Sequence, residues 1–431
     1  MTASSPGDSS GIPPCTHCKS GSATFTVHFK RQANCLRRAA VDCDKPPNSE
    51  GGYDLLVRVA VIGGGINGSG IAWELARREY DVTLFDKGEC GGQTSSATTK
   101  LIHGGLRYLE RLHVGLVRES LRERAWLLEH IPQLVHRLEI LLPIYRDSPR
   151  SLATIRLGLA LYDLLAGASN IHRHESHSAR ELVARAPLVA DDLRGGFSYW
   201  DAQVDDHALV QVVVNSARRE GAEVRELTRV VAFRRHRREW SLWTEAGEEL
   251  RYDFVVNAVG PWMNELLSLN RIRSRYRLSL VRGSHLVLKR RVSEAGMLLQ
   301  SVSDRRIFFV LPWKDTTLVG TTEVMQRGSL DDVRASAEEI EYLIARFNRY
   351  IRDPITSDDV ASTFAGVRPL VGRSSNPSAI GREYRIQRRG SMINVFGGKM
   401  TTFMSLARKV AMRVDNYFGT PRPAREAHFV L

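Results

Sequence analysis

The chain has 431 residues, with 61 Lys and Arg against 48 Asp and Glu, giving a formal net charge of +13. That length suggests two or three domains, and the basic balance admits nucleic acid, an anionic membrane surface or anionic small molecules as partners, or simply a solvated basic surface. No base-reading helix, zinc finger or RNA-binding sheet motif accompanies the charge, so no nucleic-acid partner is expected, and no run of 18 apolar residues offers a single-helix bilayer span.

Residues 1–52 are rich in Ser, Gly, Pro and Cys, lack a sustained apolar period and read as a poorly ordered extension. They lack the apolar core of a secretory signal; the acid-free stretch 9–41 has some transit-peptide character, but a cytoplasmic location is expected. Cys15-x-x-Cys18 with Cys35 and Cys43 invites a zinc reading, yet the second pair is too widely spaced for a knuckle, and no metal is expected.

Val59 to Ile62 is an apolar run typical of a buried parallel strand, and it breaks into the turn Gly63-x-Gly65-x-x-Gly68 before an Ala- and Leu-rich helix. Glycines at this spacing permit a tight turn and close approach of backbone to a pyrophosphate at a helix N-terminus. A second strand, Val82–Phe85, ends in Asp86, eighteen residues after Gly68, where a carboxylate would meet ribose hydroxyls, with Lys87 beside it. Strand, turn, helix, strand and acid in this order predict a bound dinucleotide.

The segment 91–109 is dense in small, hydroxyl and basic residues: Thr94, Ser95, Ser96 and Thr99 suit a cofactor's phosphate and ribityl parts, and His103 and Arg107 project from the same stretch. From Arg111 to Gly167 the chain reads as helices broken at Pro132, Pro143 and Pro149. Within it, Leu152 to Leu165 is too short to span a bilayer and reads either as a core helix or as an interfacial helix on anionic lipid. Phe197–Asp206 and Ala208–Arg219 read as strand, turn and helix; Val224–Arg234 and Glu239–Ala246 as strands; Asp253–Gly260 as a buried strand ending in a small-residue turn. Several strand-like runs between Tyr276 and Glu323 predict a separate antiparallel sheet. A helix over about 335–350, strands at 361–367 and 392–395, the glycine turn at Phe396–Thr402 and a helix over 405–417 complete the chain.

The resulting fold class is α/β: a Rossmann-like domain, a second and mainly antiparallel β substrate domain, and a helical insertion. The expected division is a discontinuous dinucleotide-binding domain (53–110, 197–265 and 360–418), the helical insertion (111–196), the substrate domain (266–359) and a tail (419–431).

Seven motifs carry a closer resemblance: Ile62-Gly-Gly-Gly-Ile-Asn-Gly68, Thr99-Lys-Leu-Ile-His-Gly-Gly-Leu-Arg-Tyr108, Val204-Asp-Asp206, Asn257-Ala-Val-Gly-Pro-Trp262, Gly283-Ser-His285, Gly366-Val-Arg-Pro-Leu370 and Phe396-Gly-Gly-Lys-Met-Thr-Thr402. With them the chain resembles, from about Asp54 to Phe418, the FAD-dependent glycerol-3-phosphate dehydrogenases of the D-amino-acid-oxidase-like superfamily. The resemblance implies FAD as cofactor and oxidation of sn-glycerol 3-phosphate to dihydroxyacetone phosphate by hydride transfer to flavin N5. It also implies electron transfer to quinone, a peripheral position at the inner face of the plasma membrane and a homodimer. Cofactor contacts are then expected from Gly63, Gly65, Ile66, Asn67, Gly68, Asp86, Lys87, Thr94, Ser95, Ser96, Gly260, Gly397, Gly398, Thr401 and Thr402.

For the substrate, Arg107, Arg368 and Lys399 are expected to clamp phosphate and alkoxide, because Arg offers a planar fork and Lys a compact charge. His103 is the first candidate base and His285 the second, since imidazole titrates near neutrality; Tyr108 is a candidate substrate hydrogen-bond partner. The chain departs from the resemblance in three places. It has Val259 in the Asn257–Trp262 turn, it stops soon after the closing helix where the family carries a helical C-terminal domain, and it has a Cys-bearing extension. An oxygen-using oxidase of a related hydroxy acid or amine, or a shortened flavin-binding remnant without turnover, remain as alternatives.

Overall fold

The computed structural model describes residues 56–374 and 380–431; the N-terminal extension and its cysteines lie outside them. The chain opens with β1 (Arg58–Ile62), α1 (Ile66–Ala76) and β2 (Asp81–Phe85), as the glycine turn requires. β3 (Leu101–Ile102), α2 (Val114–His130), β4 (Val135–Tyr145) and α3 (Leu152–Ala166) follow. Next come β5 (Glu175–His177), α4 (Ala179–Arg185), β6 (Leu193–Val204), α5 (Asp206–Arg219) and β7 (Glu223–Arg225). The middle of the chain supplies β8 (Val230–His236), β9 (Glu239–Thr244), β10 (Glu249–Tyr252), β11 (Phe254–Asn257) and α6 (Met263–Leu269). The remaining strands are β12 (Leu278–Leu288), β13 (Gly296–Gln300), β14 (Ile307–Trp313), β15 (Thr316–Gly320) and β16 (Val324–Met325). Helix α7 (Ala337–Asn348), β17 (Val360–Val371), β18 (Arg385–Arg389), β19 (Met392–Phe396) and α8 (Phe403–Phe418) close the fold.

One sheet has the order β18-β19-β11-β1-β2-β7, parallel except for β18 at its edge. In β1, Val59 and Val61 face a core shared with α1, α5 and α8, whereas Ala60 and Ile62 face the three-stranded sheet β8–β10, so both faces are covered and the strand is apolar throughout. The register aligns Ile62 with Phe85 on one side and with Asn257 on the other, and Asn257 with Asn394. The turns after β1, β2, β11 and β19 therefore emerge at one edge, which is where a doubly wound sheet presents its ligands.

The second sheet runs β16-β12-β15-β14-β13-β4-β6-β3, with β17 on β12 and β5 on β6. Several of its strands depart from the sequence reading. β4 passes through a region read as helical: its run Ile140-Leu-Leu-Pro-Ile144 is buried on both faces and so shows no alternation. Pro143 is tolerated because β13 pairs only with Ile140 and Leu141, leaving no ladder partner on that side of Pro143. β17 and most of β6, expected within the dinucleotide-binding domain (360–418 and 197–265), belong to this sheet instead, β17 antiparallel to β12 and β6 antiparallel to β4.

Helix α3 packs Ile155, Leu159 and Tyr162 against this second sheet while Leu157 and Leu164 are 73% and 75% exposed. With its one-turn extension it covers Leu152–Ser169, 18 residues of mean hydropathy 1.3, which by length and composition is enough to cross a membrane, contrary to the expectation that no segment is. The segment 419–431 folds back on α1: the Arg425 amide donates to the Arg77 carbonyl, and Phe429 lies 4.7 Å from the Trp73 ring.

Candidate active site

A continuous cleft of about 450 Å³ starts at the sheet edge just described and ends under the second sheet. At its first end, Gly63 has φ +105°, and a β-carbon there would stand 2.6 Å from the Ala258 carbonyl oxygen; one at Gly68 would stand 1.7 Å from that of Gly63. Gly68 thus shapes the turn without lining the cleft, whereas Gly63, Gly65, Ile66 and Asn67 line it. Asp86 accepts from the Gly64 amide at 2.6 Å and the Gly88 amide at 2.8 Å, two bonds that favour its carboxylate against the burial that raises its pKa. Lys87 stands 3.7 Å above the Trp262 ring and pairs with Asp331.

The cleft then passes the 94–99 loop. Ser95 accepts from the Ile66 amide at 3.0 Å, and Thr94 donates to the Val367 carbonyl at 3.0 Å. Ser96 bonds back to Gln93 and does not line the cleft. The loop is tied to α5 by Asp206, which accepts from the amide and hydroxyl of Thr98, while Asp205 caps the helix. Gly260 (φ +56°), Gly397, Gly398 and Thr401 complete the wall; Thr402 is buried behind it. Gly398, at φ +105°, leaves room for Asn67, whose side-chain oxygen is buried without a protein partner. A dinucleotide fits these residues. The Gly63–Gly65 backbone and the α1 N-terminus, with no acidic side chain in the first turn, suit a pyrophosphate, Asp86 suits ribose hydroxyls, and Asn67 retains an open acceptor.

The other end is cationic. Arg107, Arg368, Arg382 and Lys399 line it with His103, Tyr108, Thr321 and Glu323. Arg368 donates to Thr321 Oγ1 at 2.7 Å and the Thr322 carbonyl at 3.3 Å; Glu323 lies 3.6 Å from Arg107 and pairs with Arg382. Burial and the nearby Arg382 bring Arg368 down to about 10, so it stays charged at neutral pH. Burial, opposed by Asp201 and Glu119 and reinforced by Arg382, brings Lys399 down to about 7. Its Nζ donates to the His103 carbonyl at 3.4 Å and lies 5.0 Å from the Tyr108 ring centroid.

The two histidines differ from expectation. His103 lines the cleft, but burial together with Lys399, Arg382 and Arg124 pushes its pKa down to about 3, so its titration leaves the neutral range. His285 is fully buried, stacks on Phe364 at 4.7 Å and meets the cleft-lining Thr99, whose hydroxyl is 3.0 Å from its Nε2. It does not line the cleft and contributes no direct contact there. Arg382, Glu323 and Thr321 escaped the sequence reading. Arg382 stands in Gly381-Arg-Glu383 with no local motif, while Thr321 and Glu323 follow β15 in a polar turn, the one signal that marks a strand end as a ligand edge.

The sequence pattern of the FAD-dependent oxidoreductase family matches residues 58–412. A glycerol-3-phosphate dehydrogenase of Pseudomonas aeruginosa is 39% identical over 381 residues, 85% of this chain and 73% of the relative. A D-erythritol 1-phosphate dehydrogenase of Brucella abortus is 37% identical over 83% of this chain and 73% of its own length. Among solved structures, the glycerol-3-phosphate dehydrogenase of Bacillus halodurans complexed with FAD superposes with a TM-score of 0.69 at 24% identity, covering 86% of this chain and 67% of that one.

Proposed function

The chain belongs to the FAD-dependent glycerol-3-phosphate dehydrogenase family of FAD oxidoreductases, and from that premise we propose that it oxidises the secondary alcohol of glycerol 3-phosphate and delivers the electrons to a quinone. One observation carries the reading: Arg107, Arg368, Arg382 and Lys399 gather where the cofactor cleft ends, a setting for a phosphate dianion next to the reacting carbon. FAD, when bound, supplies the two-electron acceptor.

The chain's own residues do the rest. The arginine forks hold the phosphate and so fix the C2 alcohol against the cleft wall. Lys399, titrating near neutrality, takes the hydroxyl proton in its neutral form; the neutral His103 orients the hydroxyl by hydrogen bonding. Glu323 keeps Arg107 and Arg382 in place between turnovers. The outward apolar face of α3, with Leu157 and Leu164, supports docking on an anionic membrane surface, where a quinone would be met.

Anaerobic titration with glycerol 3-phosphate, followed at the visible flavin absorption, tests the reading. Bleaching with one equivalent is expected, and no bleaching overturns it. Bleaching by erythritol 1-phosphate in preference to glycerol 3-phosphate would reassign the substrate, and peroxide formed in step with turnover would replace the quinone by oxygen.

A further inference from the structure

Four elements meet behind the cationic end of the cleft. Asp201 on β6 accepts from Arg124 of α2 at 2.7 Å, from the Tyr162 hydroxyl of α3 at 2.7 Å and from the Gly104 amide at 3.3 Å, and Tyr162 accepts from that same amide at 2.8 Å. Arg124 also donates to the Trp200 and Ser169 carbonyls. All three side chains are essentially fully buried. A buried ion pair is a weak source of stability, because desolvation offsets its attraction. Its reach into the site is specific: Gly104 follows His103, whose carbonyl accepts from Lys399 and from Thr401, each at 3.4 Å, and Asp201 itself lines the cleft. A side chain at Gly104 would meet the Tyr162 hydroxyl at 2.4 Å, so the turn is closed against adjustment.

We propose that Asp201, held by Arg124 and Tyr162, is a positioning residue of this site: it anchors the Gly104 amide so that the His103 carbonyl holds the Lys399 ammonium toward the substrate arginines. The assignment rests on the anion-binding role given to that cluster above. The groups facing Lys399 are His103, Tyr108, Arg382, Glu119 and Asp201, and the last two carboxylates are the ones that favour its charge.

Sulfate stays a dianion from about pH 5 to 9, so its binding to the FAD-loaded protein, read as a shift of the flavin absorption, reports the site's charge without turnover. In the wild-type protein sulfate affinity is expected to fall as pH rises through about 7, where burial brings Lys399 to lose its proton. Asp201→Asn is expected to move that midpoint down by about half a pH unit or more and to weaken sulfate about threefold at neutral pH. Asp201→Glu, which keeps the charge, is expected to restore the midpoint. An unmoved midpoint in Asp201→Asn, or equal shifts in both variants, overturns the proposal. Should Asp201→Asn fail to load FAD, Tyr162→Phe decides: about threefold weaker sulfate binding supports the anchor, and unchanged binding overturns it. Because sulfate binding needs no substrate oxidation, a failure of glycerol 3-phosphate to bleach the flavin leaves this test intact.

Discussion

Gly283 leaves the space that the Arg368 guanidinium fills: a β-carbon at Gly283 would stand 2.5 Å from Arg368 Nη2. The two are held on adjacent antiparallel strands, where Gly283 pairs with Gly366. Gly283→Ala is therefore expected to push the guanidinium off Thr321 while both strands persist. Losing a charge-assisted contact to phosphate costs about 1.5–3 kcal/mol, so KM for glycerol 3-phosphate should rise by about tenfold or more. Steady-state kinetics with the FAD content measured in parallel checks this; an unchanged KM would show that Arg368 does not hold the phosphate.

At the other end of the cleft, Asp86 satisfies the amides of Gly64 and Gly88, and its removal would leave both donors without that acceptor. Asp86→Ala is expected to weaken FAD by about tenfold or more, from lost ribose contacts and unsatisfied amides together. Fluorescence titration of the apoprotein with FAD measures it. Equal affinity in the variant would remove Asp86 from the cofactor contacts.

These two sites differ in how far the sequence reveals them. The Gly63–Gly68 turn and Asp86 are close in sequence, and their spacing is dictated by one strand-turn-helix-strand unit, so local pattern is enough. Arg368 was readable only through the Gly366–Leu370 motif. Glu323 gathers with it through β12, β15 and β17, and Arg382 reaches it from the stretch ahead of β18 by pairing with Glu323, contacts that join distant segments and leave no periodic trace. Strand β4 is illegible for a related reason: burial on both faces erases alternation, and a proline suggests a break unless the partner strand's length is known. His103 is legible by position but not by chemistry, because its titration is displaced first by burial and then by cations from residues 399, 382 and 124, none of them local in sequence.

Helix α3 offers a test on the outer surface. Leu157 and Leu164 are exposed, and Tyr162, on the opposite side, is buried. Replacing Leu157 and Leu164 together by Glu removes apolar area and adds charge that anionic lipid repels. Co-sedimentation with vesicles containing phosphatidylglycerol should fall by about fivefold or more, with flavin reduction by glycerol 3-phosphate in solution unchanged. Equal sedimentation of the variant and wild type would exclude this face as the docking surface.

The pH dependence separates the roles of Lys399 and His103. Lys399 is depressed to about 7, so its ammonium dominates below that pH and its neutral amine above it; His103, at about 3, is neutral throughout the working range. If Lys399 takes the C2 proton, the rate of flavin reduction at saturating substrate rises as pH rises through about 7 and levels off above it. His103→Ala should lower that rate by about tenfold at every pH without moving the midpoint, since a lost orienting hydrogen bond is worth about 1.4 kcal/mol. Lys399→Met should abolish the rise itself. Stopped-flow reduction between about pH 5.5 and 9 distinguishes them: a midpoint that vanishes in His103→Ala but persists in Lys399→Met would assign the proton to the imidazole, against the order of basicity that burial and the surrounding cations impose.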